Sequence, residues 1–127
     1  MTAPLSPSNW LWTADSQYTP AVRVGELVLT SGIAPFDERG RVVGDDLETQ
    51  ARQVVANLAQ LLAHAGSGLE RIVRQHVYLK REEDVARFTA LRPQLYRPPY
   101  PASVLVVVTA HAHPDMLIEI ACEALVR

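Results

Sequence analysis

The sequence predicts an α+β domain in which two helices pack on one face of a mixed β-sheet. Three observations predict it. A long segment repeats apolar residues at helical spacing, and a shorter one does the same just before a proline. Around them lie short, apolar or alternating segments bounded by turn residues. The order reads β-β-(β)-α-β-α-β-β, a mixture expected of a two-layer α+β sandwich.

Residues 1–17 hold Pro4, Pro7, Ser6, Ser8 and Asn9 and are expected to form an irregular arm, with 18–127 as a single domain. Trp10 and Trp12 are expected to pin this arm rather than to stack on a substrate. Ala21-Val22-Arg23-Val24, the turn Gly25-Glu26 and the apolar run Leu27 to Ser31 read as a hairpin. Asp37-Glu38-Arg39-Gly40 forms another turn, with a possible short strand at Arg41-Val42-Val43.

Leu47, Ala51, Val54, Val55, Leu58, Leu61, Leu62 and Ala65 form one apolar stripe, predicting a helix from Leu47 to Ala65. Asp45, Asp46 and Glu48 suit the positive end of its dipole, and Gly66 suits a left-handed cap. Ile72 to Leu79 follows as a strand, with Val73, Gln75, Val77 and Leu79 on one face. A second helix is expected from Glu82 to Arg92, ended or kinked by Pro93, which lacks a backbone donor. Pro98, Pro99 and Pro101 form a rigid connection. Ser103 to Thr109 is an apolar strand expected to be covered on both faces, and Met116 to Val126 is the last strand. No third helix exists to cover the second sheet face, so a second subunit is its natural cover.

A chain of 127 residues has little material to wall off a private pocket, so any small-molecule site is expected in a surface cleft or between subunits. The net charge of -2 gives no electrostatic case for nucleic acid or an anionic membrane. One cysteine, Cys122, excludes an internal disulfide. The N-terminus lacks a basic region followed by an apolar run, so no signal peptide is expected and the cytoplasm is the default compartment.

Several strings, in order, resemble the reactive intermediate deaminase family, also called RidA or YjgF-like. They are Ala21-Val22-Arg23-Val24-Gly25, Leu29-Thr30-Ser31-Gly32 with Pro35, and Gln50-Ala51-Arg52-Gln53 with Asn57-Leu58. Ala65-Gly66-Ser67, Val77-Tyr78-Leu79, Pro101-Ala102 and Leu117-Ile118-Glu119-Ile120 with Glu123-Ala124 continue the series. The resemblance implies a chorismate-mutase-like homotrimer with clefts between subunits. It also implies hydrolysis of imines or enamines such as 2-imino acids to ketones and ammonia, without a cofactor or metal.

By the same resemblance Glu119 positions the attacking water, Tyr18 closes the cleft and Ser31 lines it. The family's carboxylate-binding arginine is replaced: Pro101-Ala102-Ser103-Val104 carries Ser103 in its place. A serine hydroxyl offers one neutral hydrogen bond where a guanidinium offers a bidentate, charge-assisted pair. Turnover of 2-iminobutanoate or 2-iminopropanoate is therefore doubtful. Arg92 is a candidate substitute from another direction, against the plain reading of a solvated helix residue.

The alternative to an enzyme is a non-catalytic trimeric binder or sensor of a small molecule. Nuclease activity, attached to some relatives, is disfavoured by the acidic balance. Glu119, within an apolar strand, reads as a cleft carboxylate or a paired structural charge. His111 and His113 are too few for a zinc site and read as exposed loop. Cys122 reads as a small buried hydrophobe.

Overall fold

The structure, a computed structural model, describes residues 2–126. Its strands are β1 (Thr2–Leu5), β2 (Ala21–Val24), β3 (Leu27–Thr30), β4 (Ile72–Leu79), β5 (Ala102–Val107) and β6 (Ile118–Leu125). The two long helices are α1 (Leu47–His64) and α2 (Asp84–Leu95). The strands form one sheet in the order β1-β2-β3-β6-β4-β5. Only the β4–β5 pairing is parallel, with α2 as its crossover; the others are antiparallel.

Helix α1 forms where the apolar stripe predicts it, and its ends are chemically marked. The Asp46 carboxylate accepts the Thr49 N–H at 3.0 Å. Past the other end Gly66 takes a φ of 82°, and the Ser67 and Gly66 N–H groups close on Leu62 O and Ala63 O. Leu58, Leu61 and Leu62 of α1 join Phe88 of α2, Val77 and Leu79 of β4, and Ile118 and Ile120 of β6 in one core. Each such side chain contributes roughly 1.5–3 kcal/mol by leaving water. Both helices thus cover the same sheet face.

The structure departs from expectation in four places, and a fifth point concerns the sheet edge that a second subunit is expected to cover. The arm is not wholly irregular: β1 pairs with β2 as an edge strand, and Leu11–Asp15 is a short 3-10 helix. The predicted strand at 41–43 is reduced to a single bridge between Phe36 and Val42. In β4 a register shift between Ile72 and Arg74 turns Ile72 inward and leaves Val73 43% exposed, reversing the expected faces at that end. Helix α2 runs past Pro93 to Leu95. Pro93 sits in its last turn, where the missing donor costs one bond, and the Tyr96 N–H still closes on Arg92 O at 2.9 Å. Finally, β5 is the open edge of the sheet, and Val104, Val106 and Val107 are each more than 40% exposed on the single chain.

Between β3 and α1 the chain is irregular, and a row of amides on α1 holds it. Gln50, fully buried, donates to Gly44 O and Asp115 O at 3.0 and 2.9 Å and accepts the Leu117 N–H at 2.7 Å. Gln53 donates to Phe36 O, and Asn57 to Ala34 O and Phe36 O. These side chains satisfy backbone groups that no strand partner reaches.

Candidate active site

Along β6 the residues alternate: Ile118, Ile120, Cys122 and Ala124 face the helices, and Glu119 faces the other way. The neighbouring strand reaches Glu119 by an irregular path. Regular β3–β6 pairing includes Leu29↔Glu123, and contact resumes at the Ile33↔Ile120 bridge. Four steps along one strand therefore meet three along the other, a bulge. Within it the Thr30 hydroxyl accepts the Cys122 N–H at 2.9 Å. Gly32 lies here, and a Cβ at this position would overlap the Glu119 carboxylate. Bare backbone at residue 32 is what gives that carboxylate its room.

Ser31 fastens the adjoining loop. Its N–H donates to Pro20 O and its hydroxyl to Thr19 O, both at 2.7 Å. The loop carrying Tyr18 is thereby tied to the end of β3. Tyr18 and Glu119 open on one cleft of about 260 Å³, which Trp12, Gly32, Phe36, His113 and Met116 also line. Ser31 itself braces this cleft from behind and does not line it.

The cleft wall is aromatic. Trp12 meets Phe36 edge-on at 5.6 Å between ring centroids and lies 6.3 Å from Tyr18. Phe36 in turn meets His113 at 6.3 Å. Trp12 is set by the 3-10 turn, where the Leu11 N–H bonds Glu38 O at 2.9 Å. Gly40, with a φ of 83°, lets Trp12 pack closely: a Cβ there would lie 2.8 Å from that of Trp12. Trp10 behaves as expected of an anchor; it is buried and donates from Nε1 to Gln60 at 3.0 Å. Trp12 does not merely pin the arm, because it forms part of the cleft. Nor is His113 a free loop residue: its Nδ1 accepts the Asp115 N–H at 3.1 Å, so the neutral ring carries its proton on Nε2.

Electrostatics follow from partial burial. Desolvation raises the Glu119 carboxyl above its ordinary pKa. Tyr18 is raised too, first by burial and then by the Glu119 charge. On the opposite face burial pushes the Cys122 thiol up to about 12, which leaves it without nucleophilic character near neutral pH.

Arg92 and Ser103 do not join the Glu119 cleft of the same chain. The Arg92 guanidinium lies 5.2 Å over the Phe88 ring, on the helix side of the sheet. Ser103, on β5, stands opposite Gln75, whose amide reaches its hydroxyl at 3.4 Å. Gln75 also faces Cys122 in register. The Tyr96 hydroxyl feels both Cys122 and Arg92, and burial raises its pKa foremost. Arg92, Tyr96, Gln75 and Ser103 thus belong to a second polar group beneath α2. In it Gln75 Oε1, Arg92 Nε and the Tyr96 hydroxyl have no partner among the described residues.

Three larger hollows, of about 410, 490 and 400 Å³, lie beside Tyr96 and Pro99, between Asp46 and Arg87, and between Val42 and Pro114; none contains Glu119. Among the described residues no three His, Cys, Asp or Glu side chains cluster as metal ligands, and no helix is long and apolar enough to cross a membrane. Trp12, Gly32, Phe36 and His113 are the cleft residues that sequence reasoning missed. Gly32 was within reach, since it closes the string Thr30-Ser31-Gly32. Trp12 lies on a single short 3-10 turn and Phe36 on an irregular segment, and neither is long enough for a periodicity to mark a facing direction.

A six-stranded sheet with one parallel edge pair, two helices on one face and a carboxylate cleft on the other side defines a small α+β protein of the RidA kind. Residues 11–126 match the endoribonuclease L-PSP family, and the chain belongs to that family, which holds the RidA, RutC and YjgF proteins. It is 33% identical over 108 residues to the 3-aminoacrylate deaminase RutC of Acinetobacter baylyi, covering 84% of this chain and 85% of that one. A RutC family protein of Pyrococcus abyssi is 33% identical over 103 residues, 80% of each chain. The crystal structure of RidA from an Antarctic Psychrobacter superposes with a TM-score of 0.88 at 27% identity, covering 97% of this chain and 98% of that chain. Yeast Mmf1 superposes at 0.90 with 24% identity over 98% of each chain and attests the fold alone.

Proposed function

We propose that the protein is a hydrolase that deaminates an imine or enamine, with Glu119 as the proton-transferring group and Tyr18 closing the cleft. The observation that carries this reading is the Glu119 carboxylate, raised in pKa by burial and set against bare backbone at Gly32. A carboxylate raised above its ordinary pKa is a stronger proton acceptor than an exposed glutamate, and its acid form can return that proton. Similarity to the 3-aminoacrylate deaminase supports the reaction class.

The steps balance as follows. Glu119 takes a proton from water as the water oxygen bonds to the imine carbon of a protonated imine. The C=N electron pair moves to nitrogen, giving a carbinolamine. Glu119 returns the proton to that nitrogen and the C–N bond breaks with its electron pair going to nitrogen; the hydroxyl proton passes by way of Glu119 to the departing ammonia, so a ketone or aldehyde leaves with ammonium. Ser31 acts by holding the Tyr18 loop.

The working unit in this reading is a cytoplasmic homotrimer with clefts completed between subunits. The exposed valines of β5 and the uncovered sheet face support it. Ser103 and Arg92, away from Glu119 within one chain, would meet a substrate only across such an interface. Ser103 in the place of an arginine makes simple 2-imino acids poor substrates.

Ammonia release from a panel of imines generated in solution tests the proposal. Wild-type protein is expected to accelerate release from at least one, and Glu119→Gln to lose most of that acceleration. Acceleration unchanged in Glu119→Gln would overturn the role of Glu119. No acceleration of any imine, with a panel member bound, would favour the non-catalytic binder.

A further inference from the structure

We infer that the Glu119 cleft selects a cationic, planar substrate: a protonated imine that carries an aromatic or other flat apolar group and no carboxylate. This deepens the deaminase reading and rests on it for the reaction, though not for the binding preference.

The lining itself makes the argument. Trp12 stands between the other two π systems of this wall, 5.6 Å from Phe36 and 6.3 Å from Tyr18 between ring centroids. Ring faces attract cations, tryptophan most strongly, and they also stack on flat apolar groups. Glu119 supplies the one carboxylate of that lining, and no lysine or arginine lines it among the described residues. A substrate carboxylate placed here would face Glu119 with no cation of the same chain to offset the repulsion, and the position where the family's arginine would stand carries Ser103. An iminium nitrogen would instead sit between a carboxylate and electron-rich rings. This is also the form whose carbon water attacks most readily. The volume, about 260 Å³, falls below the ~300 Å³ at which drug-sized sites begin. One subunit's share of the cleft thus already admits a single ring with a short substituent.

The wall is built rather than incidental. Trp12 is clamped from three sides: by stacking on the buried Trp10 at 5.6 Å, by the close approach of Gly40, and by the Leu11–Glu38 bond beside it. Phe36 is held through its own carbonyl by Gln53 and Asn57. A tryptophan needed only to fix the arm would have no reason to share a hollow with Glu119.

Binding of three matched probes to the full-length protein, followed by titration calorimetry, tests the inference. The probes are benzamidinium, a stable planar analogue of an iminium, neutral benzamide and anionic benzoate. Benzamidinium is expected to bind at least roughly tenfold more tightly than benzoate, from a charge-assisted pair with Glu119. Trp12→Leu is expected to weaken it roughly three- to tenfold. Because Trp12 packs in the fold, Tyr18→Leu serves as the second variant; Tyr18 is 52% exposed and its loss should leave the fold unchanged. Glu119→Gln is expected to erase the preference for the cation. Benzoate binding as tightly as benzamidinium would overturn the inference, as would no detectable binding of benzamidinium, or full affinity in both aromatic variants. Ammonia release is measured in parallel. Selective benzamidinium binding without turnover of any imine would sink the deaminase reading alone. Turnover of carboxylate-bearing imines without cation preference would sink this inference alone.

Discussion

Replacing Gly32 by alanine is expected to disable the cleft while leaving the fold nearly intact. Gly32 does not take a positive φ, so alanine fits its backbone. The only obstacle is the Glu119 carboxyl group, whose near oxygen and carbon the new methyl would overlap. That group is the free end of a flexible side chain, so it swings away rather than forcing β3 and β6 apart. Shifting a side chain off its preferred rotamer costs about 0.5–1.5 kcal/mol. For a chain of this size that lowers Tm by roughly 2–6 °C. The displacement needed to restore van der Waals contact is on the order of 1 Å, and misplacement by that much in a catalytic group costs on the order of 100-fold in rate. The assay pairs kcat/KM for ammonia release, on whichever imine the wild type turns over best, with thermal unfolding. A third readout is the Glu119 titration by carbon NMR, where a carboxyl moved toward water returns toward its ordinary pKa. Full activity in Gly32→Ala would refute the argument that bare backbone positions Glu119. So would a loss of activity that merely tracks a loss of fold.

Burial of Glu119 has a pH signature of its own. Its folded pKa is raised, so its contribution to stability is fully present below the unfolded value and is lost as pH rises through the folded one. Glu119→Gln should therefore raise Tm at neutral pH but not at pH 4, checked by calorimetric scans at both. Catalysis runs the opposite way, since the base must be ionised: the acid limb of kcat/KM should fall above the range of an exposed glutamate. Gln50→Leu, which orphans Gly44 O, Asp115 O and the Leu117 N–H in the interior, should cost roughly 3–5 kcal/mol in urea unfolding. Ser103→Arg, which restores a guanidinium to that position, should raise ammonia release from 2-iminobutanoate at least tenfold over wild type.

Much of the fold was legible because periodicity reports burial. The stripe on α1, the alternation of β6 and the hairpin turn at Gly25 each follow from side-chain pattern and backbone freedom. The misses share a cause: they depend on partners distant in sequence. Ile72 faces the core because of a bulge against β6, which nothing local to Ile72 announces. β1 exists because β2 offers it an edge, despite Pro4. Of the site, Glu119 and Tyr18 lie on one cleft; strand alternation and the family resemblance both pointed to Glu119, and the resemblance alone to Tyr18. Arg92 was a candidate from another direction, but the sequence of a helix does not reveal which side of the sheet it covers. Trp12 and Phe36 enter the cleft through loops whose course is set by Gly40 and by the amides of α1.

Those amides have a further consequence. The cleft wall from Ala34 to Gly44 is suspended from one flank of α1 by Gln50, Gln53 and Asn57, not woven into the sheet. A one-residue insertion in a strand shifts every residue beyond it to the opposite face. A change in a suspended loop shifts only the loop. Substrate range in such a protein can therefore drift by re-hanging the wall on the same three hooks, with the core and the Glu119 strand untouched. Divergence of the cleft and conservation of the scaffold are, in this architecture, mechanically separate.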